Sequence, residues 1–290
     1  MFKPLIETLR PRQWTKNLVI FAGLIFDGQF LHQIPFLRVL ATALLFCLVS
    51  GLTYTLNDLL DAEADQQHPR KRNRPIASGR LSKRTAIMLV LVLSTISLVG
   101  GYLLSPNLAI IFIAYMLLIL AYSLWLKKII ILDVLIIAAG FVLRMLAGLS
   151  VITVAYFSPW LFVLTSLLAM YLAFGKRLAE LKLLEANAGN HRKTLDGYTE
   201  PLLNQYIMVI LTAILITYTL YTFSAHPGQS SHAMMLTIPF VVYGIFRYLY
   251  LIQSDLITSS PEEVLLKDRP LQIAIGLWGL SVLAILYLIF

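Results

Sequence analysis

The chain has 290 residues, of which 59% are hydrophobic and 13% charged, against roughly 45–50% and about 25% in an ordinary soluble domain. Soluble enzymes, fibrous proteins and disordered chains are therefore excluded, and the mean hydropathy of +0.79 predicts one polytopic membrane domain over residues 1–290. The net charge of +8 indicates topology signals or phosphate-bearing ligands rather than nucleic acid, because no basic stretch is interleaved with stacking aromatic residues in a soluble module.

Apolar runs of about 20 residues predict an all-α bundle of nine transmembrane helices. Before them, residues 1–12 are too charged for the core of a signal peptide, and we expect an interfacial helix there. The predicted spans are 16–33, 37–56, 85–104, 107–126, 129–151, 158–175, 201–223, 233–252 and 270–290. The first is the least secure, because Asp27, Gly28 and Gln29 interrupt its apolar stretch.

Lysine and arginine residues are distributed unevenly along these spans. All but two of the 23, Arg38 and Arg144, fall in the amino-terminal segment or in the loops after even-numbered spans. By the positive-inside rule, the amino terminus and the polar loops 57–84, 176–200 and 253–269 are then cytoplasmic. Residues that could do chemistry are concentrated on that side.

The densest polar stretch follows the second span. Asp58, Asp61 and Asp65 are spaced so that all three lie on one face of a helix continuing out of the membrane, with Asn57 beside them. Three like charges within about two turns repel each other. A bound Mg²⁺, completed by substrate phosphates, would explain their arrangement.

A basic segment follows the acidic face, with Lys71 and Arg74 near a proline. Acids that hold Mg²⁺ beside bases that hold phosphate oxygens predict a diphosphate site. The alternative is a solvated juxtamembrane turn whose basic residues serve only as topology signals.

The motif NDxxDxxxD from Asn57 to Asp65, followed by a basic RPxxxG segment, resembles the UbiA superfamily of intramembrane prenyltransferases. The resemblance implies a nine-helix UbiA-like bundle with a central cavity opening to the cytoplasmic face. It also implies that Mg²⁺ holds a diphosphate on two Asp-rich motifs, one after the second span and one after the sixth. The second motif should be a DxxxD, and it is missing here.

In its place stands GKRxAEL, with Lys176, Arg177 and Glu180. Lys176 and Glu180 could form a plain surface pair, worth about 0.2–0.5 kcal/mol. More fixed positive charge and fewer metal ligands instead favour a substrate that carries more phosphate than a prenyl diphosphate does.

This segment resembles one branch of the superfamily, the polyprenyl-phosphate (decaprenyl-type) phosphoribosyltransferases. Four further segments point to the same branch: RPRQWTKN at 10–17, HPRKRNRPIASG at 68–79, GFVLRMLAG at 140–148 and PEEVLLKDRPLQ at 261–272. The resemblance implies transfer of a 5-phosphoribosyl group from 5-phosphoribosyl 1-diphosphate to a polyprenyl phosphate in a bacterial inner membrane, with Mg²⁺ as cofactor and release of diphosphate. No general base is needed, because the acceptor phosphate is already an anion.

These implications assign hypothetical roles to ten residues. Asp58, Asp61 and Asp65 would hold the metal and the diphosphate, and Asn57 would orient them. The basic ligands of the phosphates would be Lys16, Lys71 and Arg74, with Lys176 and Arg177 taking the 5-phosphate or the acceptor phosphate. Glu180 would bind a ribose hydroxyl or a second ion.

Other charged residues carry weaker expectations. Arg144, inside the fifth span, must face protein or a wet cavity, and we expect it to bind backbone carbonyls. Asp133 is too far along the helix to pair with it and could contact the substrate cavity. Asp268 and Arg269 could form an ion pair at the cytoplasmic mouth or begin a solvated helix.

Two other functions are weighed against this one. An aromatic prenyltransferase would need the missing second Asp motif. A lipid or ion transporter would be expected to show internal repeats or helices broken at mid-membrane. The Asp motif is missing, and neither feature of a transporter is convincing in the sequence. The sequence does not determine the oligomeric state or the length of the lipid chain.

Overall fold

The computed structural model describes residues 2–67, 71–154, 158–185, 197–224, 233–253, 264 and 267–289. The chain divides into two compact units. Unit 1 comprises Met1–Leu126 and Leu143–Ala155, and unit 2 comprises Lys127–Val142 and Tyr156–Phe290. All the regular structure in these described ranges is helical, as the sequence predicts.

Unit 1 contains the amino-terminal helices and the first polar loop. Its helices are α1 (Phe2–Leu9), α2 (Ala22–Phe26), α3 (Gln33–Leu60), α4 (Ala62–Gln66), α5 (Lys83–Leu104) and α6 (Pro106–Leu124). Short 3-10 helices cover Pro11–Phe21, Lys71–Asn73 and Leu126–Lys128, the last of which continues into unit 2. Helix α3 packs against α5 and α6 around a core of apolar side chains that includes Ile20, Phe46 and Phe112.

Unit 2 contains most of the later helices. They are α8 (Pro159–Glu185), α9 (Glu200–Ser224), α10 (Ile238–Gln253) and α11 (Arg269–Ala284), with a 3-10 helix at Ala233–Thr237 and a π-helical turn at Ile285–Ile289. Helix α7 (Leu132–Leu149) begins in unit 2 and ends in unit 1. Packing of α8 against α9 buries a second apolar core that includes Phe174, Leu203 and Ile207.

Eight helices of the described chain are long and apolar enough to cross a membrane, and they correspond to the second to ninth predicted spans. The protein is therefore a multi-pass membrane protein. The predicted first span, 16–33, is not one helix, because a 3-10 helix is followed by the five-residue α2. The chain turns at Gly28, whose φ of 73° suits glycine. The count of nine is therefore not confirmed.

The predicted amino-terminal helix is present as α1, which is shorter than residues 1–12. It ends at Leu9; the next residue, Arg10, has a left-handed backbone (φ 51°, ψ 62°), and Pro11 follows. Proline disfavours the helical conformation in the residue before it, so the chain turns here. This turn carries the Arg10 side chain toward the polar end of α3.

Candidate functional site

The acidic face lies where α3 ends in unit 1. Asp61 interrupts the helix between α3 and α4, but its N–H donates to the Asn57 carbonyl and it accepts from the Asp65 N–H, at 2.9 and 2.8 Å. The chain therefore keeps its helical path across the break. Asp58 and Asp65 are buried, at 2% and 3% exposure, whereas Asn57 and Asp61 are half-buried.

Arg74 brings two of these carboxylates together. One of its terminal nitrogens donates to Asp65 Oδ2 at 2.6 Å and to Asp58 Oδ1 at 3.1 Å. The turn that carries Arg74 is anchored by Ile76, which packs in a small apolar cluster. The sequence predicted the shared face of the acids and assigned Arg74 to a substrate phosphate, whereas in the structure Arg74 binds the acids themselves.

A second guanidinium, which the sequence analysis did not select, reaches the same acid. Arg10 donates to Asp58 Oδ1 at 2.5 Å and stacks over the Tyr54 ring at 5.0 Å. In the sequence, Arg10 was marked only by its position in the RPRQWTKN segment, from which Lys16 was selected as a phosphate ligand. Lys16 is half-buried and Lys71 is exposed in unit 1.

The acidic face offers oxygen atoms of the kind that bind a divalent cation. Oxygens of Asp58 and Asp65 already converge on one cationic nitrogen of Arg74, and a metal ion needs the same convergence. Carboxylate and amide oxygens are the donors that Mg²⁺ prefers. The described residues contain no group of three or more acidic, histidine or cysteine side chains placed to hold a metal ion. The remaining ligands would therefore come from water or a substrate.

Unit 2 contains a separate buried cluster built on Asp133, near the start of α7. Arg177 Nε donates to Asp133 Oδ2 at 2.8 Å, and an Arg177 terminal nitrogen donates to Glu180 at 2.5 Å. The Asp133 and Arg177 side chains are 0% and 2% exposed, and Glu180 is 33% exposed. Two carboxylates therefore neutralise one buried arginine.

Tyr198 completes this cluster. Its hydroxyl donates to Asp133 Oδ1 at 2.8 Å and accepts from the Ile131 N–H at 2.7 Å, and the Ile131 backbone has a positive φ of 69°. Burial raises the pKa of Tyr198 to about 12, so the phenol stays protonated and able to donate. Both oxygens of Asp133 thus accept charge-assisted or phenolic hydrogen bonds.

Neighbouring Lys176 and Arg177 have different surroundings. Lys176 is exposed, whereas Arg177 is 1% exposed as a residue and has the two carboxylate partners. Glu180 pairs with Arg177, three residues before it. Binding of a phosphate by Arg177 therefore stays a prediction.

The sequence motif and the fold are similar to those of known membrane proteins. The model of the UbiA prenyltransferase family matches residues 18–260. The chain belongs to the UbiA prenyltransferase family. A decaprenyl-phosphate phosphoribosyltransferase of Mycolicibacterium smegmatis is 35% identical over 98% of this chain and 92% of its own.

Other relatives give the same family and fold. The Mycobacterium tuberculosis decaprenyl-phosphate phosphoribosyltransferase is 32% identical over 94% of this chain and 91% of its own. A solved structure of a UbiA homolog from Archaeoglobus fulgidus bound to DMAPP and Mg²⁺ superposes with a TM-score of 0.73, covering 97% of this chain and 98% of its own at 17% identity.

Two more polar clusters in this UbiA family member contain Arg144 and Asp268, which are charged residues outside the predicted site. In unit 1, Arg144 is 5% exposed and donates to Asn17 Oδ1 at 2.9 Å and to the Tyr115 hydroxyl at 2.6 Å. Its guanidinium also stacks on Phe46 and Tyr115, at 5.3 and 4.8 Å. Polar side chains therefore bind this intramembrane charge.

In unit 2, Asp268 binds Arg247 at 2.8 Å, where the sequence suggested Arg269. Asp268 also caps α11 by accepting from the Leu271 N–H at 2.8 Å. The hydrogen bond from Arg247 lowers the pKa of Asp268. This acid therefore begins a helix and pairs with a cation at the same time.

Proposed function

We propose that this UbiA family member transfers the 5-phosphoribosyl group of 5-phosphoribosyl 1-diphosphate to a polyprenyl phosphate and releases diphosphate. The observation that carries the proposal is identity of 32–35%, over nearly the whole chain, to proteins named decaprenyl-phosphate phosphoribosyltransferase. The cationic segment at Lys176 and Arg177 supports it, since it stands where an aromatic prenyltransferase would need its second Asp pair.

The acidic face of unit 1 would hold the donor diphosphate. When bound there, Mg²⁺ would neutralise the leaving diphosphate. Asp58, Asp61 and Asp65 are the ligands we assign to it, and Asn57 orients them. Arg74 already binds two of these acids, so it stands where it can bind diphosphate oxygens, and Lys71 is exposed three residues before it.

The reaction itself requires positioning and charge neutralisation more than proton transfer. An anionic oxygen of the acceptor phosphate forms a bond to the ribose C1 while the bond from C1 to the diphosphate oxygen breaks. The electron pair leaves with the diphosphate, and no proton moves. In unit 2, the exposed Lys176 is suited to bind one of the remaining phosphates.

The distribution of the basic residues supports a cytoplasmic position for the polar loops. We propose a bacterial inner membrane, with the amino terminus and the phosphate-binding loops in the cytoplasm.

The proposal is tested by diphosphate release from the purified protein in detergent. We expect Mg²⁺-dependent release from 5-phosphoribosyl 1-diphosphate only when a polyprenyl phosphate is added. Asp58→Asn, Asp61→Asn and Asp65→Asn should each slow release by about 10²-fold or more, since each removes a carboxylate ligand of the cation that would neutralise the leaving diphosphate.

Glu63→Gln is the matched control. Glu63 lies in the same segment, but its side chain is 90% exposed and it contacts Lys83 only at 3.7 Å. This variant should release diphosphate at the unmodified rate. Turnover only with a prenyl diphosphate and an aromatic acid would identify an aromatic prenyltransferase instead, and an unchanged rate in Asp61→Asn would refute the metal assignment.

A further inference from the structure

Arg10 and Arg74 share one carboxylate oxygen, which is an unusual concentration of positive charge. Both guanidinium groups donate to Asp58 Oδ1, at 2.5 and 3.1 Å, and Arg74 also binds Asp65. Their side chains are 29% and 24% exposed, whereas that of Asp58 is 2% exposed. The two cations therefore cover the buried acids and keep part of their own surface accessible.

The amino-terminal segment is fixed in the position that delivers Arg10 to this acid. Glu7, in the last turn of α1, forms a two-point ion pair with Arg80 at 2.8 and 3.0 Å, which lowers the pKa of Glu7. Arg80 also donates to the Asn73 carbonyl, beside Arg74 in the chain. One arginine thus connects α1 to the loop that carries Arg74.

The charges of the site suggest when Arg10 would leave Asp58. Two guanidinium groups bind the Asp58 and Asp65 carboxylates, and Asp61 adds a third carboxylate to the same face. A divalent cation added alone would compete with both guanidinium groups for the same oxygens and leave the site with excess positive charge. A cation that arrives with a diphosphate brings anionic oxygens for which the displaced guanidinium groups are good partners.

We infer that Arg10 is a diphosphate-binding residue, which exchanges the Asp58 carboxylate for the diphosphate of the donor when the divalent cation binds. The inference rests on the proposed function only in requiring a metal-bound diphosphate at this acidic face. Tyr54, under the guanidinium at 5.0 Å, would support the side chain in both arrangements. The amino-terminal segment is then part of the donor site as well as a membrane-surface helix.

The test separates metal binding from diphosphate binding, by calorimetric titration of the full-length protein in detergent. The probes are Mn²⁺ alone and inorganic pyrophosphate at saturating Mg²⁺. In Arg10→Gln, pyrophosphate affinity should fall about tenfold or more, which corresponds to one lost charge-assisted hydrogen bond. Affinity for Mn²⁺ alone should stay the same or rise, because a competitor for Asp58 is gone.

Two further variants make the outcome decisive. Arg10→Lys keeps a charge that can reach a phosphate, so its pyrophosphate affinity should lie between those of the unmodified protein and Arg10→Gln. Arg12→Gln removes an exposed charge two residues away and should bind both probes as the unmodified protein does.

Three results would contradict the inference. If Arg10→Gln loses affinity for Mn²⁺ and pyrophosphate together, Arg10 only maintains the fold of the site. If pyrophosphate affinity changes by less than about twofold while the unmodified protein binds it, the inference alone is wrong. If the unmodified protein binds no pyrophosphate with Mg²⁺, the proposed donor site fails, and this inference fails with it.

Discussion

Arg177 and Asp133 form an ion pair inside unit 2, with 2.8 Å between Arg177 Nε and Asp133 Oδ2 and almost no solvent exposure of either side chain. Breaking a buried pair by neutralising one partner leaves an uncompensated charge and typically costs about 3–5 kcal/mol. Asp133→Asn leaves Arg177 with Glu180 as a carboxylate partner, so it should lower the free energy of unfolding by up to about that amount, measured by thermal or denaturant unfolding in detergent.

The double variant Asp133→Asn/Arg177→Met provides the control. It removes the buried charge together with its partner, so it should be more stable than Asp133→Asn alone. Equal stability of Asp133→Asn and the unmodified protein would show that Glu180 alone is a sufficient partner for Arg177.

The hydrogen bonds of Tyr198 make a second contribution to the stability of this cluster. Tyr198→Phe removes the acceptor of the Ile131 N–H and a donor to Asp133. An unsatisfied buried group costs about 1–3 kcal/mol. We expect this variant to unfold at lower temperature than the unmodified protein at pH 8.

The same tyrosine makes the difference depend on pH. The pKa of Tyr198 is about 12 in the folded protein, above the value of about 10 for an unperturbed tyrosine. As the pH rises, the unfolded chain therefore loses the tyrosine proton before the folded protein does. The contribution of the protonated tyrosine to the free energy of unfolding is complete below about pH 10 and declines toward pH 12. The stability gap to Tyr198→Phe should narrow over that range, and a constant gap would mean that Tyr198 titrates normally.

The sequence predicted the helices and the first acidic motif well, because both depend on local patterns. Long apolar runs located eight membrane helices, and the spacing of Asp58 and Asp65 was sufficient to place both on one face. The predicted first span is not confirmed as one membrane helix for an equally local reason, since its helical segment ends at Phe26 and the chain turns at Gly28.

Pairings between distant segments could not be predicted in the same way. Arg10 meets Asp58 across 48 residues, and Arg177 meets Asp133 across 44. A lone charged residue in the sequence does not reveal which distant acid it will meet, so Arg10 was overlooked and Arg177 was grouped with Lys176. The position of Asp133 within the predicted fifth span was a signal that could have indicated a structural partner, because a charge inside a membrane span usually needs one.

Arg144 should be intolerant of lysine. Its guanidinium binds Asn17 and the Tyr115 hydroxyl at the same time and lies over two aromatic rings, which a lysine ammonium cannot reproduce. Arg144→Lys should cost about 1.5–3 kcal/mol, the value of a hydrogen bond to a charged group. The control is Arg38→Lys, because Arg38 is exposed and makes one long hydrogen bond, of 3.4 Å, to the Val151 carbonyl. Similar melting temperatures for the two variants would contradict the structural role of Arg144.

Substitutions of the neighbouring residues Lys176 and Arg177 should have different effects on substrate binding and stability. Lys176 is exposed, so Lys176→Gln should change the free energy of unfolding by less than about 0.5 kcal/mol. If Lys176 binds a substrate phosphate, the same variant should raise the KM for 5-phosphoribosyl 1-diphosphate or for the polyprenyl phosphate by about tenfold. Arg177→Gln should instead lower the melting temperature, because it leaves Asp133 buried without its cation. Lys128→Gln, which removes another exposed lysine of unit 2, should change neither quantity. If Lys176→Gln leaves both KM values unchanged, the phosphate-binding role of this segment is wrong, and the charge of Lys176 serves membrane topology alone.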